Sequence, residues 1–303
     1  MIKKTFCFIF SLLLTLNCLS VFAEKNVLGE NISYRTEGSV LYIEGKGDMA
    51  LTYDYIPEIP WYNIRNDFDT VIIGEGITSI GEGAFSSFSN LKTIKFPETL
   101  KKISHSAFIS CTSLESVTLP KRLTSIEGGA FAGCENLKSI VIPGSLDFIS
   151  SDVFFNCLNL KITGISGSYA EKYANERGIP FDASLQASSE IMVKLNGEFL
   201  FFDQPPVIID DRTLVPFRTI FESLGATVEW VSSERKVLAK RGDTEISLII
   251  DSNILNKNGA ETKIDAPAKI VNDRTMVPAR AVSEALGAMV DWDSVTRTVI
   301  IKD

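Results

Sequence analysis

The sequence predicts a mainly β chain in two parts, a short solenoid of stacked 23-residue coils followed by a duplicated α+β domain. Three observations carry that expectation. Apolar residues return every 23 positions through the middle of the chain, a second offset of 62 takes over in the C-terminal third, and 303 residues at 45% hydrophobic suffice for two packed cores. Composition also limits chemistry. A formal charge of −8 speaks against nucleic acid as a partner. A single histidine excludes any multi-histidine metal centre and leaves one candidate for a histidine base.

Residues 1–23 combine Lys3 and Lys4, an apolar stretch from Phe6 to Leu19, and Val21-Phe22-Ala23 as a small-x-small site. This is the pattern of a secretory signal peptide cleaved after Ala23, too short and wrongly flanked for a stable anchor. Leu16-Asn17 before Cys18 is a poor lipobox. Cleavage leaves 28 basic and 38 acidic side chains, a net −10. No other stretch is apolar enough to span a bilayer, and no sorting motif or C-terminal anchor follows the last strand, Thr298 to Ile301. The expected location is secreted or cell surface.

The 23-residue period is carried by series such as Phe85, Phe108, Phe131 and Phe154, or Val71, Ile94, Val117 and Ile140. Leu91, Leu114, Leu137 and Leu160 keep the same interval. A period of this length with Leu-x-x-Ile-x-Phe spacing is the signature of a leucine-rich-repeat solenoid. One coil cannot bury its own apolar side, but coils stacked one strand spacing apart, ~4.8 Å, bury a continuous one. Pro97, Pro120 and Pro143 follow each short strand, where a missing donor costs little. Lys95, Thr118 and Val141 point outward. The strand face is the expected ligand surface, with Lys92, Lys95, Glu115, Thr118 and Lys138 as its candidate residues.

Ile77-Thr78-Ser79-Ile80-Gly81-Glu82-Gly83-Ala84-Phe85 and its counterpart Leu123 to Phe131 resemble the BspA-like class of leucine-rich repeats. Upstream, Val40 to Ile43, Gly45 to Met49 and Pro60-Trp61-Tyr62 look like that family's N-terminal cap. Downstream, Ser168 to Ala174 and Ile179-Pro180-Phe181 look like its closing helix and strand, so the resemblance covers about 31–181. It implies an exported bacterial protein of the surface or secreted kind, with a role in adhesion.

Cys111, Cys134 and Cys157 share the 23-residue interval, and Phe88 takes their place in the first coil. A position filled by Phe or Cys is a packing position, so buried free thiols are expected. A straight ladder of three lacks the Cys-x-x-Cys spacing of a metal site. His105 shares its phase with Glu82, Gly128 and Ser151, which points to an unconstrained surface position. Flanking Ser104 and Ser106 do not make a nucleophile–base pair without a third, orienting group.

Comparing 196–237 with 258–299 gives 20 identities in 42 positions without a gap. Asp211-Arg212-Thr213-Leu214-Val215-Pro216 returns as Asp273-Arg274-Thr275-Met276-Val277-Pro278, and Trp230 returns as Trp292. Each unit reads as strand, hairpin, helix, strand, strand. Phe217, Ile220, Phe221 and Leu224 form an apolar helical stripe, and Gly225 stops that helix. These runs resemble the copper amine oxidase N-terminal-like domain, over about 191–303. The name implies no oxidase activity here, because the segment holds neither a histidine for copper nor a tyrosine for a quinone.

Arg212, Arg218, Arg274 and Arg280 have two readings, guanidinium forks for an anionic glycan or carboxylate, and braces on backbone carbonyls before each helix. The shared scaffold positions favour braces. Trp230 and Trp292 read as core rather than as sugar platforms, and Asp291-x-Asp293-Ser294 as a strand-end turn rather than a calcium loop. The expected organisation is a signal peptide at 1–23, a cap at 24–70, repeats with closing helix and strand at 71–181, a linker at 182–190 and the two-unit domain at 191–303. The expected function is non-catalytic binding or adhesion, with no catalytic, cofactor or metal residues. The solenoid presents an extracellular protein or glycan with its surface, and the C-terminal domain serves as stalk or non-covalent envelope-retention module. The alternatives are an envelope glycan hydrolase working through carboxylates and a purely structural envelope spacer.

Overall fold

The computed structural model describes residues 28–29, 31–50, 59–185 and 190–303. The segment 1–23, expected to be a signal peptide, and residues 186–189 of the expected linker lie outside these. By contact density the chain forms two compact units. One holds residues up to Leu160 except Lys121–Leu123 and Ile140–Asp147, and the other holds the remainder. The described chain is mostly β, with three short α-helices.

The repeats form a solenoid, and each coil contributes two strands rather than the single one the sequence suggests. The first set begins with the cap hairpin Ile32–Glu37 and Val40–Gly45, then adds Thr70–Ile73 and Thr93–Lys95 in parallel. A separate four-stranded sheet follows, with Ser116–Thr118, Ser139–Val141, Lys161–Thr163 and Phe181–Asp182 in order. The second set is one unbroken five-stranded sheet of Gly47–Asp48, Ile77–Ile80, Lys102–Ile103, Ser125–Ile126 and Phe148–Ile149. Val71, Ile94, Val117 and Ile140 alternate inward with outward neighbours, as a half-buried strand requires.

In the turns that follow the second strand of each coil the phenylalanines stack. Ring centroids lie 5.2 Å apart for Phe85 and Phe108, 5.3 Å for Phe108 and Phe131, and 6.0 Å for Phe131 and Phe154. The backbone N–H of the first three phenylalanines donates to the next coil, Phe85 to Ala107 O and Phe108 to Ala130 O at 2.8 Å and Phe131 to Val153 O at 3.0 Å. Trp61 closes the stack upstream: it lies over Phe85 at 5.7 Å and its indole N–H donates to Ala84 O at 2.7 Å. The helix Tyr169–Arg177 buries Ala170, Tyr173 and Ala174, and ends on left-handed Gly178. Its chain then enters Phe181–Asp182, which pairs with Lys161–Thr163.

In the C-terminal region, elements of the first half return 62 residues later. Helix Phe217–Ser223 corresponds to Ala279–Ala285, Arg212–Pro216 to Arg274–Pro278, and Thr227–Val231 to Met289–Asp293. Phe217, Ile220, Phe221 and Leu224 all enter one core, and Gly225 follows the helix at φ +74°. The halves are interlocked. Arg212–Pro216 pairs antiparallel with Arg274–Pro278, centred on Val215 opposite Val277, so the pairing maps onto itself under the offset. Met192–Leu195 of the first half pairs in parallel with Thr298–Lys302 of the second.

Candidate binding face

All five sequence-predicted surface residues, Lys92, Lys95, Glu115, Thr118 and Lys138, are exposed. They fall into two rows. Lys95 and Thr118 end the strands Thr93–Lys95 and Ser116–Thr118, in the same row as Ile72 and Val141. Lys92, Glu115 and Lys138 precede the strands, in the row that Asp69 begins, so charge alternates in sign along it.

That alternation turns the row on itself. Lys138 Nζ meets Glu115 Oε2 at 3.0 Å. Asp69 accepts from Thr70 Oγ1 at 2.9 Å and Ser39 Oγ at 3.0 Å, and these bonds, helped by the charge of Lys92, hold its carboxyl below the usual range. The charged candidates are therefore partly satisfied by neighbouring coils. The sequence reading passed over a third row, the hydroxyls Thr70, Thr93, Ser116 and Ser139 at the first position of each strand. A 23-residue interval of Thr or Ser was the available signal. The face is an array of hydroxyl and aliphatic groups on successive strands, bordered by a charged row in which Glu115 pairs with Lys138.

The cysteines are free and buried. Each thiol donates to the carbonyl of the phenylalanine 26 residues earlier, Cys111 to Phe85, Cys134 to Phe108 and Cys157 to Phe131, at 3.2–3.3 Å. The Cys111 thiol beside it, together with burial, pushes Cys134 far up, and burial pushes Cys157 up to about 12. Such thiols are packing groups, not nucleophiles. His105 is exposed, and Asp152 lies near enough to feel its charge. Among the described residues, no three His, Cys, Asp or Glu side chains are placed to hold a metal ion. Residues 191–303 hold neither histidine nor cysteine, the nitrogen and sulfur donors that copper takes.

The arginines pair mainly with carboxylates rather than with the backbone carbonyls expected of them. Arg212 reaches Asp265 Oδ2 with Nε at 3.1 Å and Nη2 at 3.0 Å, and Arg274 reaches Asp203 at 2.6 Å. Asp203 and Asp265 are themselves 62 apart, so each half's arginine holds the other half's aspartate. Arg212 Nη1 also donates to the Asp211 carbonyl, at 3.1 Å. Arg218 and Arg280 pair along their own helices with Glu222 and Glu284, at 3.5 and 3.9 Å. Asp293 forms a strand-end turn, accepting from Val295 N at 2.8 Å and Thr296 Oγ1 at 2.8 Å. Trp230 and Trp292 are half-buried against the core.

Residues 55–174 match the BspA type leucine rich repeat region in six copies. The repeats are of the BspA type. Residues 194–301 match the copper amine oxidase N-terminal domain, so the chain joins a BspA-type repeat region to that domain. Solved structures similar to the chain include a leucine-rich repeat protein from Eubacterium ventriosum, at 29% identity over 46% of this chain and 43% of that one, with a TM-score of 0.39. A leucine-rich repeat protein from Bacteroides ovatus has 32% identity over 39% and 30%, with a TM-score of 0.35. A leucine rich cell surface protein from Faecalibacterium prausnitzii has 25% identity over 52% and 43%, with a TM-score of 0.36. The chain spans less than half the length of each. No curated protein matches the sequence. No helix among the described residues is long and apolar enough to cross a membrane.

Proposed function

We propose that this is an exported, non-catalytic binding protein of the cell surface or its surroundings. The solenoid's strand face takes a protein or glycan ligand, and the C-terminal region, a duplicated α+β domain of two 62-residue units, serves as stalk or non-covalent retention module in the envelope. The domain limits of this reading are 24–70, 71–181 and 191–303, behind a signal peptide of 23 residues.

The observation that carries it is the strand face itself. Rows of outward hydroxyl and aliphatic groups are fixed by a stacked aromatic core, and in the bordering charged row Glu115 is paired with Lys138. Such a surface offers shape and hydrogen-bonding groups to a partner at little reorganisation cost. The experiment is to incubate the full chain and the pieces 24–181 and 190–303 with cell walls, glycans and matrix proteins, and to measure what sediments or is retained. The C-terminal piece is expected to follow the envelope, and the repeat piece an external ligand. The reverse assignment overturns the division of labour, and release of soluble fragments from peptidoglycan overturns the non-catalytic reading.

A further inference from the structure

The two C-terminal halves share a scaffold but differ in side-chain bulk. A cleft of about 730 Å³ lies between the helix side of the second half and Ile208, Asp211, Arg212 and Thr213 of the first, within the ~300–1,000 Å³ of small-ligand sites. Its apolar side is made by Ala279, Ala281, Val290 and half-buried Trp292, and its rim carries Lys257, Thr262 and Lys263. The corresponding first-half residues, 62 positions earlier, are bulkier or more apolar. Phe217 stands for Ala279, Leu200 for Thr262, Leu195 for Lys257 and Phe201 for Lys263. Phe217 is only 8% exposed within the core, and Leu200 packs against it. The scaffold therefore accepts a phenyl ring at the Ala279 position, and the fold does not demand the open volume in the second half.

The polar groups around the cleft define what fits. Four carboxylates and four cations line it. Arg212 is bound to Asp265, and Arg280 lies beside Glu284. Asp291 is turned onto the backbone N–H of Trp292, at 2.8 Å. Balanced charge of this kind selects against a polyanion. It supplies both donors and acceptors around a flat indole, which suits a ligand with an apolar ring face and a girdle of hydroxyls. We infer that this cleft binds a neutral saccharide, with a sugar ring stacked on Trp292 and its hydroxyls met by Lys257, Lys263 and the rim carboxylates. The inference rests on the envelope-retention reading of the C-terminal region and gives that role a chemical target.

The test is calorimetric titration of the full chain with N-acetylchitotetraose and cellotetraose, two neutral β-linked probes. Saturable binding is expected to at least one. Ala279→Phe, which installs the first-half residue, should weaken it at least tenfold with little change in melting temperature. Thr262→Leu fills the same space from an exposed strand and serves if the first variant melts early. Trp230→Ala, at the corresponding tryptophan of the other half, should leave the affinity within twofold. Absence of saturable binding to both probes, or undiminished binding by both filled variants, overturns the inference. Preference for an acidic polymer such as polygalacturonate over both also overturns it. Wall sedimentation reports separately. A filled variant that has lost oligosaccharide binding yet still pellets with walls places retention elsewhere and overturns the cleft's part in it. Saturable oligosaccharide binding by a wild type that does not pellet upholds the cleft and ends the retention reading.

Discussion

The chain contains two repeats that solve the burial problem in opposite ways. The 23-residue coil is repeated by translation. Phe108 meets Phe85 on one side and Phe131 on the other, and its backbone N–H serves the next coil only. The 62-residue offset instead relates strands that pair with each other. They meet around Val215 and Val277, and arginines on each side of the offset hold aspartates on the other. Translation yields nearest-neighbour stability that grows coil by coil. Reciprocal pairing of this kind closes after two copies. The comparison also explains where each region is free to vary, at the outward strand positions in the solenoid and at Ala279 against Phe217 in the C-terminal region.

The largest expected effect separates the middle of the solenoid from its end. Phe108→Ala removes a ring with two stacked neighbours and should cost about 3–5 kcal/mol. Phe154→Ala, at a ring that is 7% exposed where Phe108 is fully buried and that lies 6.0 Å from Phe131, should cost clearly less. Equal losses in urea unfolding would contradict nearest-neighbour stacking. The next test concerns the C-terminal equivalence. Gly225 and Gly287 follow their helices at φ +74° and +99°, so Gly225→Ala and Gly287→Ala should each destabilise by about 1–2 kcal/mol. A loss at one position only would break the equivalence of the halves.

Alkaline titration should distinguish the two regions. The Cys134 and Cys157 thiols are raised in the folded state, so the stability they contribute is complete below the unfolded thiol value of about 8.5 and declines as pH rises above it. Residues 191–303 contain no cysteine or tyrosine, and the C-terminal core should outlast the solenoid. Near-ultraviolet circular dichroism of the two pieces from pH 8 upward checks the order of loss. The smallest effect lies at acid pH. The hydrogen bond from Arg274 lowers Asp203, and that from Lys161 lowers Asp182. Their stabilisation is present above the unfolded carboxylate value of about 3.9 and is lost as pH falls through the lowered folded values. Melting temperature should hold steady from pH 7 to 5 and fall below 4, in both regions alike. Asp203→Asn should flatten that acid limb in the C-terminal piece, and an unchanged limb would remove the reciprocal pairs from the account.

Much of the solenoid was legible because its signal is redundant, with the Phe85, Val71 and Leu91 series all keeping one 23-residue phase. The second strand of each coil was not. Lys102–Ile103, Ser125–Ile126 and Phe148–Ile149 are two residues long, too short for a period of two to register. Trp61 escaped the phase count because it stands 24 rather than 23 residues before Phe85. The candidate face was found by its outward positions, but the pairing of Glu115 with Lys138 depends on neighbouring coils lying in register, which spacing alone leaves open. In the C-terminal region the offset of 62 identifies corresponding residues and says nothing about which strand pairs with which. The crossing of Met192–Leu195 onto Thr298–Lys302 is therefore visible only in the fold. Trp292 reads as core from its strand position, and only the fold shows that it also lines a cleft together with Ala279 and Ala281.

Trp61 terminates the aromatic stack at one end, while each later coil hands its successor the same ring, the same carbonyl and the same thiol position. Insertion or deletion of 23 residues in register would leave every remaining joint unchanged and shift the solenoid's length by one strand spacing, about 4.8 Å. The reach of this part of the molecule is thus adjustable in equal steps, as a ruler is cut to length, without redesign of either terminus. Nothing comparable is open to the 62-residue halves, whose arms are already clasped.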